Sequence, residues 1–339
     1  MNKKKPTIGD VAKLAGVSSA TVSMVLSGKG RISPWTTQKI HRAIAEIGYI
    51  PSHQAATLRS GKTGLIGLII NNLNESFNHE LLNGINRRLD ESNNVAFILL
   101  YTTPEEREKR VNIALYHNVD ALIIVSELPV PDALQRKIAQ SPIAAHYITT
   151  SCQLNKPGYS GPDVTAGVKR AASYLIARGH RHIAFIGGEV CSYSRAEKLA
   201  GYFAALKDHH IMVNNDYIVP CGKRQQEAAA KTTDLMLQHP HLSALLCHDE
   251  HVTKGAMYAV KMAGRAVGKE IYVARDMALI CLEKIDEGEL MSPTITCLDS
   301  DASAIGYNAA HQVMSDHDDP GNSDHARQII PQLLLRESA

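Results

Sequence analysis

Ten Lys or Arg residues (Lys3, Lys4, Lys5, Lys13, Lys29, Arg31, Lys39, Arg42, Arg59, Lys62) fall within positions 1–62, against two acids, Asp10 and Glu46, a balance of +8. The chain's totals of 36 basic and 34 acidic residues leave 26 and 32 for the rest, a balance of −6. A near-neutral sum therefore hides a basic head on a mildly acidic body. The chemistry open to such a head is attraction of nucleic-acid phosphates. Other reactive constellations are weak. His248 and His251 flank Asp249 and Glu250, and His-x-x-His on a helix is a metal-ligand spacing, but one that is usually incidental. There is no GxSxG elbow or comparable nucleophile setting, so neither an enzyme nor a metal or cofactor is expected. Six cysteines (Cys152, Cys191, Cys221, Cys247, Cys281, Cys297) lie far apart with no CxxC. They read as small buried hydrophobes in a reducing compartment.

The element that must position the basic charge is 7–27, TIGDVAKLAGVSSATVSMVLS. Thr7 and Asp10 have the spacing of a capping box. Val11, Leu14 and Ala15 share one helical face, Gly16 supplies the turn, and Ser18 caps a second helix whose Val22, Val25 and Leu26 face the core. Small residues at Ala12 and Ala15 let the two helices cross closely. Ser33 before Pro34 starts a third helix to about Ile47, ended by Gly48, with Ile40, Ala43, Ile44 and Ile47 as its buried stripe. Residues 52–59, SHQAATLR, form a short polar stretch with one large apolar residue, Leu58.

From Leu65 short β runs alternate with amphipathic helical stretches: strands at 65–70, 95–100, 121–125, 182–188, 217–220, 244–247, 277–282 and 294–298, and helices at 77–90, 105–117, 132–140, 194–209, 251–263 and about 302–315. Near-continuously apolar strands in such alternation mean parallel sheets covered on both faces. About ten strands suit two doubly wound sheets, with ligands at the carboxyl ends of the strands, in the cleft between two lobes. No apolar run is long enough to cross a bilayer and MNKKKPT is not a signal peptide, so the cytoplasm is expected.

At this point the chain resembles the LacI/GalR family of bacterial transcriptional repressors. Besides TIGDVAKLAGVSSATVS, the resemblance is carried by GYIPS (48–52), LIGLII…F (65–77), LIARGHRHIAFIGG (175–188), AGY (200–202), PTITCLD (293–299) and IIPQLLLRES (329–338). Within it, SGKGRIS (27–33) and IGG…SRAE (186–197) look most like the maltose-regulon repressor branch. The resemblance implies an all-α helix-turn-helix head (1–50), a hinge helix and linker (51–61), and an α/β core (62–339) of two doubly wound parallel-sheet lobes like those of periplasmic binding proteins. Lobe 1 is expected at about 62–162 and 294–322, lobe 2 at about 163–293 and 323–339. The chain stops just after RES, which implies a dimer without an added oligomerisation helix.

By resemblance the second helix enters the major groove, with Ser19, Ala20 and Met24 at the base-reading positions. Ser19 can donate or accept, while Ala20 and Met24 offer only apolar contact, which leaves more of the recognition to phosphates and DNA shape. Thr7, Ser18, Thr21, Ser23, Lys29 and Arg31 are the implied phosphate anchors; for Thr7 and Ser18 simple capping competes with that role. A segment as short as 52–59 is marginal as an isolated helix. It is expected to fold when two copies meet on DNA, with Ala55 allowing close approach, Arg59 beside the backbone and Leu58 as a minor-groove wedge; the alternative is that Leu58 packs on the core.

The implied effector positions are Asn72, Phe77, Ser192, Tyr193, Ser194, Arg195, Lys198, Asp249 and Glu283. Several depart from the family pattern. Its arginine before AGY is here Lys198, a point charge in place of a bidentate fork, with Arg195 nearby as a substitute. Its Asn-Asp pair is Asp249-Glu250, and the Asp of its GFDD strand end is Glu283. The expectation is a dimeric repressor of a pseudo-palindromic operator, modulated by a small, sugar-like molecule with a coupling of about 1 to 3 kcal/mol. Alternatives are a repressor with a degenerate cleft that answers to a protein partner or to none, and, more remotely, a solute-binding protein.

Overall fold

A computed structural model describes residues 5–27, 30–50, 61–73, 75–128, 130–149, 158–222, 224–268, 276–318 and 327–339. The chain divides into two compact units, Met1–Thr63 and Gly64–Ala339.

The first unit is three helices, α1 (Ile8–Ala15), α2 (Ser19–Leu26) and α3 (Pro34–Ile47). Each starts on a side-chain cap, from Thr7, Ser18 and Ser33 respectively. The Thr7–Asp10 capping box is present in both directions, and Gly16 ends α1 in the left-handed region at φ 61°, where a Cβ would strain. Val11, Ala12, Ala15, Val22, Ile40 and Ala43 form the core, with Val25, Leu26, Ile44 and Ile47 packed at its edge. Leu14 differs from the sequence expectation. It is 43% exposed, and Ala12 takes its place inward, because close approach of α2 and α3 favours the small side chain.

The second unit holds two sheets. One runs β12-β5-β4-β3-β1-β2 and is wholly parallel: β1 (Leu65–Ile70), β2 (Val95–Leu100), β3 (Ala121–Val125), β4 (Ala144–Ile148), β5 (Tyr159–Pro162) and β12 (Arg327–Ile329). The other runs β13-β11-β10-β8-β6-β7, with β6 (Ile183–Ile186), β7 (Ile218–Val219), β8 (Ala244–Cys247), β10 (Asp276–Cys281), β11 (Thr296–Asp299), an antiparallel β13 (Gln332–Leu334), and β9 (Ala266–Val267) beside β10. Inner strands β1, β3, β6, β8 and β10 are buried nearly throughout, as expected of strands covered on both faces. Strand β2 is not. It forms a sheet edge and leaves Val95, Ile98 and Leu100 exposed.

Register corrects the expected lobe edges. Strand β11 pairs β10, so 296–299 belongs to the second sheet and the chain returns to the first lobe after Asp299, not at 294. Strand β12 pairs β5 in the first sheet, so the last crossing lies between 329 and 332, not at 323. Strands β4 and β5 and the helices Val164–Ala177 and Gln225–Gln238 were also not anticipated.

Helices pair by backbone contact at glycines. A methyl group on Gly84 of helix Ser76–Asp90 would overlap the Ser303 carbonyl, and one on Gly306 the Leu81 carbonyl, locking that helix to Ala302–Asp318. Gly201 meets the Thr165 carbonyl and Gly255 that of Gln225 in the same way, so three helix pairs are packed at a distance no side chain allows.

Candidate DNA-reading helix and candidate ligand cleft

The exposed face of α2 follows from its period. Ser19 and Ser23 are four apart, as are Ala20 and Met24, so the four share one side while Val22 points inward. Ser19, Ala20 and Met24 are exposed, and Thr21 and Ser23 are half-buried. Ser18 Oγ accepts from the Thr21 amide at 3.1 Å and lies 2.9 Å from Thr21 Oγ1. Thr7 Oγ1 accepts from the Asp10 amide at 3.3 Å and donates to Asp10 Oδ2 at 2.7 Å. Both hydroxyls are thus engaged in capping. Neither acid nor base interrupts α2, whose N-terminal end carries the partial positive charge that favours phosphate. Arg31 is exposed. Lys29, Ala55, Leu58 and Arg59 lie outside the described residues.

In the second unit the carboxyl ends of β1, β3, β6, β8, β10 and β11 converge on a cleft of about 150 Å³, where doubly wound sheets place ligands. Its walls include Phe77 and Ser194, and seven carboxylates: Glu75, Glu80, Glu127, Asp249, Glu250, Glu283 and Asp299. A chamber sharing Phe77, Glu127, Ser194 and Glu283 adds Asn71, Asn78 and Lys198. A second side chamber is lined by Glu127, Gly188, Ser192, Tyr193 and His248.

Lys198, only 2% exposed, donates from Nζ to Glu283 Oε1 at 2.5 Å and to the His248 carbonyl at 2.7 Å. Asp249 caps helix Glu250–Met262 by accepting from the Val252 amide at 2.9 Å, and its Oδ2 lies 3.2 Å from His248 Nδ1. Burial raises the Asp249 carboxyl, but the His248 and Val252 hydrogen bonds and the Lys198 charge outweigh it and hold the group at about 2. Burial, then the Lys198 charge, lowers His248, so its ring is neutral and Nε2 is an acceptor when Nδ1 carries the proton toward Asp249. Ser192 caps helix Tyr193–Asp208 through the Arg195 amide at 3.3 Å.

Two expected positions behave differently. Arg195 does not substitute for a ligand-gripping arginine: it is 8% exposed, its Nε donates to the Gly187 carbonyl at 3.1 Å, and its guanidinium stacks 5.8 Å from the Phe185 ring. The helix turn from 192 to 195 directs it inward, where it holds the loop after β6. Asn72 is outside the cleft lining and accepts from Asn78 Nδ2, through its carbonyl at 3.0 Å. Sequence reasoning missed Lys284, which bridges Glu80 of helix Ser76–Asp90 in the first lobe and, at 3.5 Å, Asp299 at the end of β11. It missed Glu127 too. Both follow the ends of central strands, the signal that was available.

With this geometry in place, the comparisons decide the family. Residues 7–52 match "Bacterial regulatory proteins, lacI family" and residues 63–337 match "Periplasmic binding proteins and sugar binding domain of LacI family". The chain belongs to the LacI family. It is 32% identical over 339 residues to the maltose regulon regulatory protein MalI of Escherichia coli (strain K12), covering 98% of each. Its fold matches that of the lac repressor dimer bound to operator and the anti-inducer ONPF, with a TM-score of 0.84 at 24% identity over 99% of both chains. It also matches the transcriptional regulator CelR in complex with cellobiose, with a TM-score of 0.67 at 23% identity over 99% of this chain and 100% of that one. The LacI-family assignment explains why a helical head and a two-lobed core share one chain. Among the described residues no helix is long and apolar enough to cross a membrane.

Proposed function

We propose that this LacI-family protein is a sequence-specific transcriptional repressor acting in the cytoplasm as a homodimer on a pseudo-palindromic operator. The observation that carries this reading is the exposed Ser19–Ala20–Met24 face of α2 in a unit bearing ten basic residues against two acids. Ser19, Ala20 and Met24 read base edges, while Thr7, Ser18, Thr21, Ser23, Lys29 and Arg31 hold phosphates. Residues 51–61 are the hinge, with Ala55, Leu58 and Arg59 on the minor groove. Ile98 and Leu100, which share one exposed face of edge strand β2, suit pairing with a second copy, since exposed apolar surface marks an interface.

The cleft takes a small, sugar-like effector, in line with the cellobiose complex of a structural relative. Phe77 is its apolar wall, Ser192, Tyr193 and Ser194 contact ligand hydroxyls, and Lys198, Asp249 and Glu283 provide charge. Lobe closure then shifts the spacing of the paired hinges. A rival reading, a cleft without a ligand, draws on the Lys198–Glu283 pair, in which the chain satisfies its own charge.

Selection from a random duplex pool followed by gel shifts at several salt concentrations tests the reading. A twofold-symmetric site bound with a steep salt dependence is expected, with Leu58→Ala weakening affinity at least tenfold and reducing bending. Absence of any salt-sensitive preference for a symmetric site overturns it.

A further inference from the structure

Trp35 is the chain's only tryptophan and stands 70% exposed in the first turn of α3. The core of the head is built without it, from Ile40 and Ala43 of the same helix and their neighbours on α1 and α2. An indole is large and apolar, so leaving it in water forfeits the burial that such a side chain supplies elsewhere. Lys39 is four residues further on and therefore on the same side of α3. Its Nζ stands 5.2 Å from the centre of the indole ring, a cation–π pair.

The position of that ammonium joins the pair to the reading helix. Lys39 Nζ is the atom that a Cβ on Gly16 would meet, at 3.4 Å, so it lies beside the turn between α1 and α2, two residues before the Ser18 cap. Its charge is not spent on a carboxylate. Of the two acids in 1–62, Asp10 is engaged in the Thr7 capping box, and Glu46 lies two turns further along α3, ~10 Å away. Exposed Ser18 and Ser19 and the Lys39 ammonium thus gather at the amino end of α2, in a unit whose charge balance is +8. On α2 itself Ser19, Ala20 and Met24 provide no bidentate base reader, which leaves affinity to contacts with the DNA backbone.

We propose that Trp35 and Lys39 form a second grip on the duplex backbone, beside the segment that α2 enters. The indole Nε1–H, a donor only, meets a phosphate oxygen, the ring covers the adjacent deoxyribose, and the Lys39 ammonium neutralises a neighbouring phosphate. The inference rests on the DNA-binding reading and adds two residues of α3 to it.

With a single tryptophan in the chain, fluorescence of the full-length protein reports this contact directly. Addition of a random-sequence duplex at low salt, and of the selected symmetric site, is expected to shift the emission and to shield the indole from acrylamide, both reversed by added salt. In gel shifts Lys39→Gln is expected to lower the slope of log affinity against log salt by about one per chain, as the loss of one phosphate contact does. Trp35→Ala is expected to weaken binding at least tenfold, and Trp35→Phe, which keeps a ring but not the N–H, by an intermediate factor. Thermal melts of the same variants separate DNA contact from simple stapling of α3. Lower melting temperatures with affinity and salt slope unchanged would make the pair a staple and overturn the inference. So would an indole already shielded in the free protein and unmoved by DNA. In both cases DNA binding by the wild type stands; if the wild type binds neither duplex, the DNA-binding reading falls and the inference with it.

Discussion

Lys198 Nζ stands 2.5 Å from Glu283 Oε1, yet the lysine side chain is 3% exposed and the glutamate side chain 45%. One partner has given up its water and the other has not. The buried ammonium is therefore held by Glu283 and by the His248 carbonyl at 2.7 Å, tying helix Tyr193–Asp208 to the ends of β8 and β10.

Removing that ammonium tests both its packing and its role. In Lys198→Ala, Glu283 regains solvent but the His248 carbonyl loses its donor, a cost of about 1–3 kcal/mol. Urea denaturation of the variant is expected to show a lower midpoint, and gel shifts to show no response to the effector that releases or strengthens the wild type.

Capping and phosphate contact separate at Ser18. Ser18→Ala removes the acceptor for the Thr21 amide and is expected to cost the head about 1 kcal/mol. Ser18→Asp keeps a good cap but adds a negative charge on the face proposed to meet DNA. Thermal melts should place the aspartate variant near wild type, with operator affinity reduced at least tenfold. An aspartate variant that binds DNA normally would leave Ser18 with a cap's role alone.

The first lobe depends on the Gly84 crossing. In Gly84→Ala the new methyl would meet backbone, the Ser303 carbonyl, which cannot move aside as a flexible side chain does. Overpacking of this kind costs about 1–3 kcal/mol, measurable by denaturation. The exposed Gly264, with open space around it but φ at +68°, is a useful contrast, since alanine there is strained by backbone alone.

Acid sensitivity should come from buried histidines. His146 on β4, bonded through Nε2 to Ser160 Oγ at 2.8 Å, is pushed down to about 4 by burial, and His180 likewise, by burial and then the Arg178 charge. Their folded values lie below the ordinary 6.5, so the unfolded chain binds more protons between these limits and stability falls as pH drops through that window. Asp249, held at about 2, adds a further loss below the ordinary carboxylate value of 3.8. Melting temperatures from pH 7 to pH 4 should fall steadily, and His146→Gln should flatten the slope.

Much of the site's scaffold was legible. The Thr7 cap, the Gly16 turn and the apolar runs 65–70, 121–125 and 244–247 are local patterns, and the structure carries them at or within a residue or two of the expected ends. What escaped notice has a common cause. Strand β4 reads AAHYI, with a buried histidine in an otherwise apolar run, and β5 reads YSGP, whose glycine and proline look like a turn. Helix Gln225–Gln238 is polar over most of its length, so its period is faint. In each, neighbours supply the burial that composition alone does not signal.

The amino-acid sequence by itself determined the helix-turn-helix head, the alternation that builds parallel sheets, the family and a minority of the residues lining the cleft, Phe77, Ser192, Ser194, Asp249 and Glu283, because caps, turns and hydrophobic periods act over a few positions. Tertiary structure decided which sheet receives 296–299, that Arg195 turns inward to the Gly187 carbonyl, and that Lys198 is engaged by Glu283, 85 residues away. Those outcomes depend on which distant backbone and charge stand opposite each side chain once the strands are in register, and no local pattern encodes that.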